Sequence, residues 1–204
     1  MKYIILLFLV FFFFKVSIAQ KHQDFYENGQ LKSEGILKEN QREGKWLTWY
    51  PSGNLNAIEN YKNDELEGTC HYFDFNGKLQ QVENWKDGLL NGTATAYYPN
   101  GLISKTGIYK QGLNEGEWLF YFENGTIKQI GNYENGLPNG KWKVFYENGK
   151  LYQSGEYFNN QEHGVWKFYT PEGKLEFEGT YEKGARIGTW YEYTKKGKKK
   201  VMKY

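Results

Sequence analysis

Three histidines and one cysteine in 204 residues leave little from which to build a reaction centre. A single cysteine, Cys70, cannot close an internal disulfide, so stability must come from packing, and a buried thiol is the expected state. No Cys-x-x-Cys, His-Glu-x-x-His, Gly-x-Ser-x-Gly or phosphate-binding loop is present. No catalytic residue, metal site or cofactor is therefore expected, and the chain reads as a non-enzyme. Cys70 and His71 form the one reactive-looking pair. Neighbours on a strand point to opposite faces, so they are badly placed to act together. Helical periodicity is also missing from residue 20 onward, because turn signals arrive about every twelve residues. An excess of either charge is missing too, with 26 basic against 24 acidic side chains.

One long apolar run exists, and it stands at the start. Tyr3 to Phe14 is uninterrupted, follows Lys2, and is succeeded by Ser17-Ile18-Ala19. Small residues at −3 and −1 suit signal peptidase, so residues 1–19 read as a signal peptide cleaved after Ala19. The run is too short for a bilayer, which takes roughly 20 residues. An exported protein is expected: periplasmic, outer-membrane-associated or secreted. Cleavage removes Lys2 and Lys15 and leaves 24 basic and 24 acidic residues. A neutral chain has no overall attraction for nucleic acid, which is excluded as a partner.

What the sequence does have is glycine, aromatic residues and a period. Gly44, Gly68, Gly92, Gly116, Gly140, Gly164 and Gly188 are spaced by 24 without an insertion. The column two residues later reads Trp46, Cys70, Ala94, Trp118, Trp142, Trp166 and Trp190, and three further on every copy is aromatic. A tight turn such as Glu147-Asn148-Gly149 follows, as a type I turn with a bulge or as a type I′ turn. A second strand runs from about Leu151 to Tyr157, and a second, longer turn from Glu134 to Gly140. A fixed period of this kind marks a repeat architecture. The fold class expected is all-β: an elongated single-sheet ribbon of stacked antiparallel β-hairpins over residues 20–204. Its polar cap falls near residues 195–204, where Lys199 replaces the usual Leu or Ile.

Gly35, Gly107, Gly131, Gly155 and Gly179 form one more column on a strand, leaving room for a large ring from the neighbouring strand. Glu59 and Glu83 break that column, and Cys70 and Ala94 break the tryptophan column nearby. The second and third units are therefore expected to pack least well.

The pattern Tyr-x-Asn-Gly-x-Leu, Gly-x-Tyr, Gly-x-x-x-Gly-x-Trp, nearly complete in YENGKLYQSGEYFNNQEHGVWKFY (residues 146–169), resembles the MORN-repeat variant proteins of bacteria. The resemblance covers about residues 25–197 and implies an extended β-hairpin array. Some relatives bear the label of antitoxin in a YwqK-type toxin–antitoxin pair, and eukaryotic relatives are linked to phospholipid binding and membrane-junction scaffolding. The resemblance supplies no catalytic residue.

Aromatic residues fall on both faces of such a ribbon. Trp142, Val144 and Tyr146 would share one face, and Lys143 and Phe145 the other. The row Tyr97, Tyr121, Phe145 and Tyr169 is the candidate set of partner contacts. The expected function is binding or scaffolding of a macromolecule, a protein first, through one face of the ribbon. A cell-envelope glycan, or an anionic lipid surface at the lysine-rich end, is the alternative.

Overall fold

The computed structural model describes residues 19–194 and 196–202, all of them strand or turn. The expected leader lies outside the described residues, apart from Ala19. Seventeen strands follow one another: β1 (Ala19–Phe25), β2 (Leu31–Lys38), β3 (Gln41–Trp49), β4 (Leu55–Lys62), β5 (Glu65–Leu66), β6 (Gly68–Phe73), β7 (Leu79–Lys86), β8 (Leu89–Tyr97) and β9 (Ile103–Lys110). The rest are β10 (Leu113–Tyr121), β11 (Ile127–Glu134), β12 (Leu137–Phe145), β13 (Leu151–Phe158), β14 (Gln161–Tyr169), β15 (Leu175–Glu182), β16 (Ala185–Tyr193) and β17 (Lys199–Val201). Each pairs antiparallel with the next, except that β5 and β6 both lie against β4, because they are one strand interrupted at Glu67. The result is one open meander of hairpins, as the period requires.

The two turns of each unit differ in kind. At Tyr146-Glu147-Asn148-Gly149, Gly149 N–H donates to the Tyr146 carbonyl and only the glycine takes a positive φ, +79°. This is a type I turn with a glycine bulge, not a type I′ turn. The other turn is the tighter of the two, contrary to the sequence reading. Asn135 and Gly136 have φ of 49° and 81° and close Glu134 directly on Leu137, a two-residue type I′ turn. The strand therefore begins three residues before Gly140. That glycine sits inside β12 at a bulge, with φ 93°, where the register steps from Tyr133↔Pro138 to Gly131↔Trp142. Asn132 Nδ2 spans the opening to the Lys141 carbonyl at 3.0 Å.

Hydrogen bonds tie successive units together at both edges. Gly112, Gly136 and Gly184 N–H groups donate to the carbonyls of Leu90, Asn114 and Glu162, each the second residue of the strand that follows the preceding tight turn. Glu43, Glu67 and Glu115 accept from the N–H groups of Asn63, Asp87 and Asn135, each twenty residues on. At the opposite edge the hydroxyls of Tyr26, Tyr50, Tyr98 and Tyr146 donate to the carbonyls of Trp49, Phe73, Tyr121 and Tyr169 at 2.7–2.8 Å.

The core is a seam along one face. Trp46, Trp118, Trp142, Trp166 and Trp190 are buried, and each indole lies over the glycine eleven residues earlier: Gly35, Gly107, Gly131, Gly155 or Gly179. A Cβ at any of these glycines would overlap the indole sterically. Tyrosines fill the gaps edge-on. Tyr109, Trp118, Tyr133, Trp142, Tyr157 and Trp166 form an unbroken chain of T-shaped contacts that runs on through Tyr181 to Trp190. Burying one such indole stabilises the fold by about 3–5 kcal/mol relative to alanine, and each ring pair adds about 0.5–1.5 kcal/mol.

In the second and third units smaller side chains hold the tryptophan position and are still buried. Cys70 is 0% exposed and Ala94 8%, as buried as the tryptophans. The two columns change together: where the indole is lost, the glycine eleven residues earlier becomes a half-buried glutamate, Glu59 or Glu83. What changes is polarity. Burial pushes the Glu83 carboxyl above its ordinary value of 4.5 and the Cys70 thiol above its own. In the window from 4.5 up to its raised native value, Glu83 holds its proton longer in the folded chain than in the unfolded one. Stability therefore falls as pH climbs through that window. Glu83→Gln should remove this loss, so the urea midpoints of variant and parent should diverge as pH rises, the variant being more stable near neutrality. Parallel profiles would clear Glu83 as the source.

The last strand is short. Lys199 Nζ lies 2.9 Å from Glu178 Oε1 and 3.6 Å from the centre of the Tyr191 ring. A three-residue strand bearing Lys199 and Lys200 offers little for another chain to extend.

Candidate interaction surface

Strand alternation gives the ribbon two unlike faces. The front carries the tryptophan–tyrosine seam. At its N-terminal end the seam-side neighbours are the small Ser33, Thr48 and Ala57, where later units have Phe120, Phe168 and Phe177. A groove of about 500 Å³ opens there, with Tyr26, Arg42, Trp46 and Glu59 among its walls. Its charges are already engaged. Arg42 pairs with Asp64 and stacks 3.8 Å from the centre of the Tyr61 ring, and Tyr61 donates to Glu59 at 2.9 Å. The hydrogen bond from Arg42 holds the Asp64 carboxyl below the ordinary carboxylate range. Among the described residues no group of three or more His, Cys, Asp or Glu is arranged to hold a metal ion.

The back face is different. Tyr97, Tyr121, Phe145 and Tyr169 occupy one repeat position at the ends of β8, β10, β12 and β14, two strand spacings apart, or about 10 Å. All four are half-buried rather than fully exposed. The structure thus aligns the row anticipated from sequence. It also fixes its backbone, since the Tyr121 and Tyr169 carbonyls accept from Tyr98 and Tyr146.

Sequence reasoning missed a second row at the opposite ends of the same strands. Leu89, Leu113 and Leu137 are 51%, 49% and 47% exposed, each following a tight turn. Ile108 (47%) and, beside the aromatic row, Ile103 and Ile127 are also exposed. The signal was available: leucine recurs at a 24-residue spacing where the first and sixth complete units have Gln41 and Gln161. Between the two rows lie the half-buried Thr95, Leu119 and Ile130. The middle of the back face therefore carries two apolar rows, with charged side chains such as Glu117, Lys141 and Lys143 exposed between them, and exposed apolar side chains bordered by polar ones suit a contact surface.

Fold and surface together define an open β-hairpin repeat scaffold that presents rows of apolar side chains on one face. The sequence model described as MORN repeat variant matches residues 21–39, 42–63, 66–87, 114–135, 138–159 and 162–183, more than half of the chain. The protein belongs to the MORN repeat variant family. Residues 88–113, between the third and fourth matches, fold as the same hairpin although Ala94 interrupts the motif. No curated protein matches the chain.

Proposed function

We propose that this is an exported, non-enzymatic repeat protein that binds or scaffolds a protein partner through the back face of its ribbon. The observation that carries the reading is the aromatic row Tyr97, Tyr121, Phe145 and Tyr169, held at one repeat position beside the exposed Ile103 and Ile127. Large rings with a polar surround are the usual anchors of protein contacts. The sequence of residues 1–19, with its apolar run and its small residues before Gln20, supports export. Export in turn separates this chain from an antitoxin that must meet a cytoplasmic toxin.

The test is recovery of partners from envelope extracts, using the wild-type chain and two paired variants, Tyr97→Ala with Tyr121→Ala and Phe145→Ala with Tyr169→Ala. Both pairs should lose the partner while keeping the far-ultraviolet spectrum and melting temperature of a folded ribbon. Equal recovery by folded variants would remove the row from consideration.

A further inference from the structure

We infer that the back face of β8–β12 is a self-association surface, and that its occupant is a second copy of this chain packed antiparallel, face to face. This rests on the back-face reading above and names the partner for its central part.

The first argument is the set of uncovered apolar side chains, Leu89, Leu113, Leu137, Ile103, Ile108 and Ile127. Tyr109 packs edge-on against Trp118 with ring centres 4.9 Å apart, so it lies on the front. Its neighbours Ile108 and Lys110 therefore point to the back. So do the residues paired with them, Leu113 opposite Lys110 and Glu115 opposite Ile108. A single-layer sheet has no second layer of its own to cover these side chains. Five strands about 4.8 Å apart and about 30 Å long offer on the order of 700 Å². That is close to the roughly 800 Å² per partner of a standard interface. Two sheets pack stably face to face about 10 Å apart.

The second argument is charge, and it selects the occupant. On this face of β8–β12 the charged side chains are Lys110, Glu115, Glu117, Glu134, Lys141 and Lys143. Glu115 accepts from the Asn135 N–H, and Glu134 accepts from the Asn139 side-chain amide while remaining exposed. Lys110 and Glu134 occupy the same repeat position in successive units with opposite sign. Glu117 and Lys141 do the same in reverse order. A two-fold axis running along the strands near β10 and β11 inverts the unit order. It brings Lys110 beside the second copy's Glu134, and Glu117 beside its Lys141, each pair occurring twice. The same operation sets Leu113 and Leu137 against their counterparts and Tyr97, Tyr121 and Phe145 against one another. An isologous contact requires this self-complementarity, whereas an unrelated partner would have no reason to find alternating sign at a fixed repeat position.

Sedimentation velocity on the protein purified after expression of the full chain tests the inference. A dimer mass is expected at micromolar concentration. Lys110→Glu and Glu134→Lys should each weaken the dimer about tenfold, because like charges then meet. The double variant Lys110→Glu with Glu134→Lys should return to within about threefold of the parent. Leu113→Glu with Leu137→Glu should give a monomer with an unchanged spectrum. A monomer mass for the parent at 100-fold higher concentration (roughly 0.1 mM), or a charge swap that does not restore the dimer, overturns the inference. In that event, loss of another protein on changing Tyr97 and Tyr121 would leave the binding-face reading standing by itself.

Discussion

Gly107→Glu should unfold the centre of the ribbon, and Trp118→Ala placed in the same chain should rescue it. A side chain at residue 107 has nowhere to go while the Trp118 ring covers the glycine, since even a Cβ would overlap the indole. The single variant should lose at least about 4 kcal/mol, or fail to fold, through overpacking and loss of the ring's burial. Trp118→Ala should cost about 3–5 kcal/mol by leaving a cavity. The double variant should be no worse than Trp118→Ala alone, because the glutamate fills what the indole vacates. The expected coupling, about 2–3 kcal/mol or more, is large for two residues in contact. The chain already contains this exchange: Ala94 faces Glu83 directly in the β7–β8 register, and Cys70 stands eleven residues after Glu59. Urea unfolding followed by far-ultraviolet dichroism gives all four corners of the cycle. Simple addition of the two single losses would separate the columns and leave the glycine rule unexplained.

This pairing shows what was legible in the sequence. The 24-residue columns gave the strands, the seam and the overlap of ring on glycine, because each depends on residue type at a fixed position. Loose packing in the second and third units was expected from the breaks at Glu59 and Glu83 together with those at Cys70 and Ala94. Cys70 and Ala94 are themselves buried, and the residue that changes with each lies eleven positions earlier, on the adjacent strand. The second turn was read as long because Gly136 and Gly140 both look like turn residues. Gly136 is one, but Gly140 takes its left-handed conformation at a bulge inside β12. A glycine in isolation does not distinguish the two uses of positive φ. The candidate surface was half legible. Aromatic residues at one repeat position announced one row, while the leucine row required knowing that a two-residue turn places Leu89, Leu113 and Leu137 at an uncovered edge. The tyrosine hydroxyls at 26, 50, 98 and 146 could not be assigned from sequence either, since their acceptors are backbone carbonyls 23 residues away.

Removal of residues 116–139 should give a folded, shorter ribbon, whereas removal of residues 116–138 should not. The first deletion is one whole period and joins Glu115 to Gly140. Glu115 then stands where Asn139 stood and can cap the Asn159 N–H, as Asn139 does at 3.4 Å and as Glu115 did for Asn135 at 3.1 Å. Trp142 would meet Gly107 in place of Gly131, and Tyr109 would meet Trp142 in place of Trp118. Every contact across the junction is thus replaced by its repeat equivalent. In an array whose stability is a sum over units and nearest-neighbour interfaces, the loss is about one unit's share. The 23-residue deletion shifts the junction by one residue. Side-chain orientation has period two, so the indoles of one half would be directed to the back face and the apolar back-face residues into the seam. The two halves could not share one seam, and the melting transition should split or disappear. Thermal unfolding of both chains decides the matter. If the 24-residue deletion is as disruptive as the 23-residue one, the units are not interchangeable and the array is held together by contacts longer than nearest neighbours.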